Sequence, residues 1–206
     1  MSSIVIAGDT SGSITLAAPA VAGSNTLTLP AVTDTLVGLA ATQTLTNKSI
    51  AATQLTGTIA AARLPAGSVV QVVSSTYSTA TSTTSTSFVT TNLNASITPS
   101  SSTNKILILV NLTCYRVNFA YSAVTTIYRG TVAGTNLGDA TWGLAQLYNN
   151  SSLGLTGQMN MSYLDSPATT SATTYTVGLK AENASVTVTS CPNNGLATIV
   201  LMEIAA

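Results

Sequence analysis

The chain has 206 residues, which is enough for one ordinary domain with an appendage or for two small units. Only 6% of the residues are charged, six basic and six acidic, and there is no histidine. Because six scattered cations cannot form a basic track along phosphates, nucleic acid is not expected as a partner. The lack of histidine excludes Ser–His and Cys–His nucleophile pairs and histidine metal sites.

Neither a membrane span nor a secretion signal is expected. The longest apolar runs, at 106–110 and 197–202, have about five and six residues, whereas a spanning helix needs about 20. Residues 1–6 carry neither a basic region nor a long apolar stretch. Since 45% of the residues are apolar and the net charge is zero, the composition favours an ordered chain.

The first 66 residues consist of short apolar pieces, each ended by glycine or proline. This pattern predicts short strands at 4–6, 13–16 and 26–29. Residues 54–64 come nearest to a helical pattern and would hold one short turn. Similar sequence recurs at a spacing of about 11 residues, which is typical of an elongated stack rather than a globule.

This N-terminal segment contains no aromatic residue, and its apolar side chains are mostly small. Ordering each residue costs on the order of 1.5 kcal/mol, which short strands of small side chains cannot offset within one chain. We therefore expect its apolar side to be covered by other copies of the chain.

The amino-acid composition changes after residues 65–67, and every Phe, Tyr and Trp lies beyond this point. Strands are predicted at 68–76, 86–97, 105–117, 121–129, 142–147, 157–164, 173–179, 185–189 and 196–204.

Three of these segments carry information about burial. Alternation of apolar and polar residues at 158–163 and 174–180 predicts strands with one buried face. The uninterrupted apolar run at 106–110 predicts a central strand covered on both sides. The sequence thus indicates an all-β protein, with residues 1–66 as a stalk or base and residues 67–206 as a β-sandwich of jelly-roll type.

Eight short segments stand out along the chain: TLTNKSI at 44–50, LTGTI at 55–59, ARLP at 62–65, GSVVQVV at 67–73, ITPSS at 97–101, KIL at 105–107, LDSP at 164–167 and MEI at 202–204. These segments resemble tailed-bacteriophage fibre and virion-surface proteins. Their order, a junction followed by a β-structured tip, is similar to that of the family.

This resemblance implies a homotrimer on the virion surface, either a short fibre or a capsid decoration or cement protein. Its partners would be a phage capsid or tail protein and further copies of itself. A stalk of 66 residues spans at most about 3.3 Å per residue, which favours a stubby decoration over a long fibre. Strand addition would attach the N-terminal part to the particle, and the candidate docking residues are Ile4, Val5, Ile6, Ile14 and Leu16.

The head offers one candidate contact surface for a host glycan. It would combine the aromatic and cationic residues Tyr115, Arg116, Tyr121, Tyr128, Arg129 and Trp142. The alternative, which we favour, is that the tyrosines pack in the core or at a subunit interface and the arginines pair with Asp139 or Glu182.

No catalytic residue, cofactor or metal site is predicted. Asp165 is the best catalytic candidate, but hydrolysis of a glycosidic bond needs two carboxylates, and none lies near it in sequence. We favour a turn at the end of a strand for Asp165. Cys114 and Cys191 are expected to be small buried residues rather than a disulfide, although the sequence leaves the bridge open.

Four functions follow from these observations. A non-enzymatic virion structural protein leads, and a tail-fibre tip that binds a host glycan is the alternative. A depolymerase-like spike is disfavoured by the scarce carboxylates, and a bacterial adhesin repeat by the absence of a secretion signal.

Overall fold

The structure is a computed structural model that describes residues 3–7, 10–17, 63–117, 121–148 and 153–206, with isolated positions at 21, 31, 49, 57, 59, 60 and 150. The chain forms two compact units, Met1–Thr56 and Gly57–Ala206. The sequence places the division about ten residues later. The strand predicted at 26–29 and most of the turn predicted at 54–64 lie outside the described residues.

The regular secondary structure of the described residues is all β, as the sequence predicts, apart from one 3-10 turn at Pro192–Asn194. The strands are β1 Ser3–Ala7, β2 Ser13–Ala17, β3 Val69–Tyr77, β4 Thr81–Thr83, β5 Val89–Ile97, β6 Lys105–Arg116, β7 Ala123–Arg129, β8 Thr135–Asn136, β9 Ala145–Leu147, β10 Leu155–Asp165, β11 Thr173–Ala181, β12 Val188–Ser190 and β13 Ala197–Ile204. The sequence does not predict the short strands β4 and β8. In the part of the chain described, no helix is long and apolar enough to cross a membrane.

The N-terminal unit contains an antiparallel hairpin of β1 and β2. Its register places Ile4 opposite Leu16, Val5 opposite Thr15, and Ile6 opposite Ile14. Gly12 has a φ of 78°, a left-handed conformation that glycine adopts without steric cost, and it lies directly before β2.

The C-terminal unit, the head, is a sandwich of two antiparallel sheets. The first sheet has the order β3-β13-β6-β10. Past the end of β13, β12 pairs with the last residues of β6, and β4 pairs with β12. The second sheet has the order β5-β11-β7, with β8 and β9 on the far edge of β7. When the eight strands β3, β5, β6, β7, β9, β10, β11 and β13 are numbered 1 to 8 along the chain, the sheets have the orders 1-8-3-6 and 2-7-4-5, which is jelly-roll topology. The predicted fold class is confirmed, and the trimer stays a prediction.

The head has one hydrophobic core between the two sheets. Alternate residues of β6, including Ile106, Ile108 and Leu112, point inward and are fully buried. They belong to the same cluster as Val177 and Leu179 of β11. Burying each such side chain contributes about 1.5–3 kcal/mol, so this core stabilises the head without the N-terminal unit.

Burial of the outer faces differs from the prediction in both sheets. Nearly every residue of β11 is buried, on both faces, because Phe88 and the loops on either side of β8, residues 130–134 and 137–144, cover the outer side of the second sheet. In contrast, the described residues of the head cover β6 on one face only: Leu107 is half-buried and Leu109 is exposed. The apolar run of β6 therefore has a central place in its sheet but an open outer face.

Cys114 and Cys191 are free and buried, as the sequence favours. Burial, and secondarily the neighbouring Cys191, raise the pKa of Cys114 to about 12. The reactive thiolate form is therefore strongly disfavoured at neutral pH.

Candidate functional site

The N-terminal hairpin exposes apolar side chains on both of its faces. Val5 and Ile6 are neighbours in β1, so they point to opposite sides, yet they are 60% and 54% exposed. A two-stranded sheet alone is marginally stable in water. The predicted docking residues Ile4, Ile14 and Leu16 lie on the same two strands.

The six candidate glycan contacts do not form one surface. Their placements are as follows: Arg116 is fully buried, Tyr128 is buried, Tyr115 is half-buried on β6, the Arg129 side chain is 33% exposed, and Tyr121 and Trp142 are exposed. Tyr115 belongs to the first sheet, whereas Tyr121, Tyr128 and Trp142 belong to the second sheet and its loops. Only Tyr121 and Trp142 offer a large exposed aromatic surface.

Tyr128 has a structural role on the outer side of the second sheet. Its ring meets Phe88 edge to face, with centroids 5.8 Å apart. Gly178 leaves room beneath the ring, since a methyl group there would lie 3.1 Å from it. Burial raises the pKa of Tyr128. Tyr128 thus packs against Phe88 within the head and does not contribute to an exposed patch.

An ion pair between a buried carboxylate and a partly exposed arginine joins the two sheets at one end of the sandwich. Nη2 and Nε of Arg129 each lie 2.9 Å from an oxygen of Asp165, and the Tyr175 hydroxyl donates to Oδ2 at 2.7 Å. Burial, and then the hydrogen bond to Asp165, raise the pKa of Tyr175. The predicted pairing of Arg129 with Asp139 or Glu182 is wrong.

Asp165 is the last residue of β10, and its carboxylate binds Arg129 and Tyr175 instead of the N–H groups of a turn. The sequence misses this pair because its members are 36 residues apart on different sheets. The packing of the two sheets brings them together, and no local sequence pattern signals it.

A second buried carboxylate, Glu203, fastens the loop before β6 to the last strand. It accepts hydrogen bonds from the Asn104 amide at 2.6 Å, from the Ser100 N–H and hydroxyl at 2.7 Å each, and from Gln71. Burial alone would raise the pKa of Glu203, but the hydrogen bonds from Asn104, Gln71 and Ser100 outweigh it and lower the pKa.

These two carboxylates lie in one cross-strand row. Asp165 and Glu203 are both opposite Ile106, so their Cα atoms are about 10 Å apart, two strand spacings. Both are buried, and both are held by structural hydrogen bonds, so the arrangement stabilises the fold. The described residues contain no cluster of three metal-ligating side chains.

Trp142 stands on a tightly held turn. The Oδ1 atom of Asp139 accepts from the N–H groups of Thr141 and Trp142 at 2.8 and 2.6 Å. Two further backbone hydrogen bonds join Asp139 and Gly143, and Lys180 binds a carbonyl of the turn at 3.1 Å. The N–H groups of Trp142 and Thr141 lower the pKa of Asp139. The ring is 47% exposed, so a fixed backbone presents the chain's single tryptophan to solvent.

No protein-family model matches the chain, and no curated protein matches it. Among solved structures, it is similar to the infectious bursal disease virus VP2 subviral particle, with 14% identity, 68% of this chain covered and a TM-score of 0.34. The infectious bursal disease virus Gx strain gives 13% identity, the same coverage and a TM-score of 0.35. The chain spans 38% and 39% of the length of those two chains.

Proposed function

We propose that the chain is a non-enzymatic structural protein on the surface of a tailed-phage virion. In this proposal it is a homotrimeric short fibre or capsid decoration protein that docks through its N-terminal part. The observation that carries the proposal is the hairpin of β1 and β2, whose Val5 and Ile6 are both more than half exposed on opposite faces.

Such a hairpin is suited to strand addition. Each of its strands has one edge of N–H and C=O groups without a partner among the described residues. A strand of a coat or tail protein can satisfy those groups, while side chains such as Val5 and Ile6 fill pockets on alternate sides. The exposed apolar surface of the hairpin would then be buried on the particle.

The head supports a structural role through its electrostatics. Its two buried carboxylates hold strands and loops together, and the whole chain has zero net charge. A neutral surface provides little long-range steering of a charged ligand, and it suits permanent attachment.

Deletion of residues 1–20 tests the docking. We expect the truncated protein to be absent from purified particles while its head stays folded by circular dichroism. Mass spectrometry of capsids against tails would show where the full chain resides. Full occupancy of the truncated protein would instead make the head the attachment site.

A point variant with a matched control refines the test. Val5→Asp places a charge on the exposed apolar strand and should strongly reduce occupancy. Thr10→Asp places the same charge in the exposed connection of the hairpin, and occupancy should stay near that of the wild type. Equal loss in both variants would count against strand addition.

Binding of a host glycan is a second candidate function, favoured by the exposed Trp142 on its fixed turn. An aromatic face stacks on the C–H face of a sugar, and Asp139 beside it can accept hydroxyl hydrogen bonds. Because Trp142 is the only tryptophan, its fluorescence reports on this site alone.

Titration with host surface polysaccharide should shift the Trp142 emission if this function holds, and Trp142→Ala should abolish binding. Tyr148→Ala, at another exposed aromatic residue, serves as the control. An unchanged emission at saturating polysaccharide would exclude Trp142 as a contact.

A further inference from the structure

The outer face of the first sheet carries an apolar row across four strands. The register places Leu164 of β10 beside Leu107 of β6, Leu107 beside Met202 of β13, and Met202 beside Val72 of β3. All four side chains point away from the core, and Val72 and Leu164 are 55% and 49% exposed. We call this row and its neighbours the open face.

The next row of the open face has two apolar and two serine side chains and borders a surface depression. Ser162, Leu109, Val200 and Ser74 lie side by side in register. Together with adjacent residues, Leu109, Ser162 and Val200 line a shallow depression of about 330 Å³. Small side chains beside large ones create this space, which has room for side chains from outside the subunit.

A third row turns polar. It consists of Asn160, Asn111, Thr198 and Thr76 in register. On the other side of the apolar row, Val69 and Ile204 extend the apolar surface, with Lys105 at the corner. The open face is therefore apolar at one end and uncharged but polar at the other.

The second sheet shows how this fold covers an outer face when its own chain can do so. There, Phe88 and the loops at residues 130–134 and 137–144 lie over the strands, and β7 and β11 are buried on both sides. No described residue of the head provides such a cover for the open face. Yet the run at 106–110, with Leu107 and Leu109 on the open side, has the continuous apolar sequence of a strand buried on both faces.

The apolar area of the open face is about half of what one partner buries in a stable subunit contact. Its eight apolar side chains expose on the order of 400 Å², about as much as the largest patch on a typical monomer and half of the ~800 Å² that each partner buries in a stable complex. The polar row adds hydrogen-bonding groups that can make up the rest of the contact.

We propose that the open face is where copies of the head pack against one another in the homotrimer, an inference that rests on the proposed function. Three such sheets facing a common axis would enclose a shared apolar core. A face that needs permanent cover needs a partner that is always present, and a second copy of the chain meets that condition. Identical copies also meet here without charge repulsion, since Lys105 lies only at the corner.

The first test compares two variants of the full chain by light scattering. Leu164→Lys puts three like charges into the proposed core and should raise the apparent dissociation constant at least about 100-fold. Thr156→Lys, on the same strand and the same face beyond the polar row, should leave it unchanged. Leu164 is half exposed in the subunit, so its variant should keep its circular dichroism.

The second test measures cover directly and does not depend on dissociation. Ser162→Cys places a thiol in the middle of the open face, and Thr90→Cys places one on the outer side of the second sheet; both positions are exposed in the subunit. The native cysteines are buried and give little background. We expect the thiol of Ser162→Cys to react with a disulfide reagent at least about 100-fold more slowly than the thiol of Thr90→Cys.

The outcomes separate the two proposals. A monomeric wild type of 20.8 kDa would overturn the homotrimer and with it the contact. A trimeric wild type in which both thiols react equally fast would overturn the open face alone. Protection of the Ser162→Cys thiol that persists in a Leu164→Lys monomer would show that the chain's own residues cover the face, which also overturns the proposal.

Discussion

At the scale of single residues, Asp165 joins three strands: its carboxylate receives Arg129 of β7 and Tyr175 of β11 at the end of β10. Asp165→Asn keeps the shape but removes the charge. We expect a loss of about 2–4 kcal/mol in the free energy of unfolding, since Arg129 is left without its counter-ion and is partly shielded by solvent. Denaturant unfolding at pH 7 measures it.

Asp139→Asn is the matched control for that substitution. Asp139 is exposed, and the Oδ1 atom of an asparagine can still accept from Thr141 and Trp142. Its loss should stay below about 1 kcal/mol. Similar losses in both variants would mean that the ion pair adds nothing beyond a neutral hydrogen bond.

Glu203 makes stability depend on pH. Its pKa in the folded protein lies below the ordinary value of 4.5, so its contribution is present above that value and is lost as the pH falls through the folded pKa. Glu203→Gln should therefore be less stable than the wild type at pH 7, and the difference should shrink by pH 3. Melting temperatures at both pH values measure it, and a difference that is constant with pH would contradict it.

At the scale of elements, strand positions could be predicted because alternation with a period of two survives in most segments. Met159 and Met161 of β10 are buried as their alternation predicts. Cover of the outer faces could not be predicted. It depends on where residues 130–147 fold back, and local sequence does not carry that information.

Because local sequence does not carry information about long-range packing, only part of the candidate site could be predicted. The hairpin strands follow from short apolar pieces bounded by glycine. The glycan patch failed to assemble because neighbours in sequence, such as Tyr115 and Arg116, point to opposite faces of a strand. Contact between the two sheets, as in Arg129 with Asp165, depends on how the sheets pack on one another, which one sequence does not reveal.

The turn that carries Trp142 provides a test at this scale. Gly143 has a φ of 60°, and a methyl group there would collide with the carbonyl oxygen of Thr125. Gly143→Ala should cost about 2–4 kcal/mol, from left-handed strain plus the collision, and should change the Trp142 emission. Denaturant unfolding followed by fluorescence measures both effects.

Gly67→Ala isolates the strain. Gly67 has a φ of 87°, but nothing lies within 4 Å of an added methyl group. Only the conformational cost of about 1 kcal/mol is expected there. If Gly143→Ala costs no more than Gly67→Ala, the turn moves freely, and the fixed presentation of Trp142 is wrong.

At the scale of the whole molecule, trypsin cleavage after the few Lys and Arg residues can show which parts of the chain are accessible. Arg116 and Lys180 are buried, and Arg129 is held by its ion pair. Lys105 is exposed but begins the central strand β6, which pairs on both edges. Proteolysis requires a segment to leave its strand partners, so these sites open only with the head.

Arg63, by contrast, is exposed and precedes β3. Among the described cationic residues we therefore expect trypsin to cut first after Arg63 under native conditions and to leave residues 64–206 as a resistant fragment. Mass spectrometry of a digestion time course identifies the order of cuts. The released head should keep the cooperative unfolding of the full chain, because its core lies wholly within it. An early cut after Lys105 or Arg129 would mean that the jelly roll opens locally at its central strands.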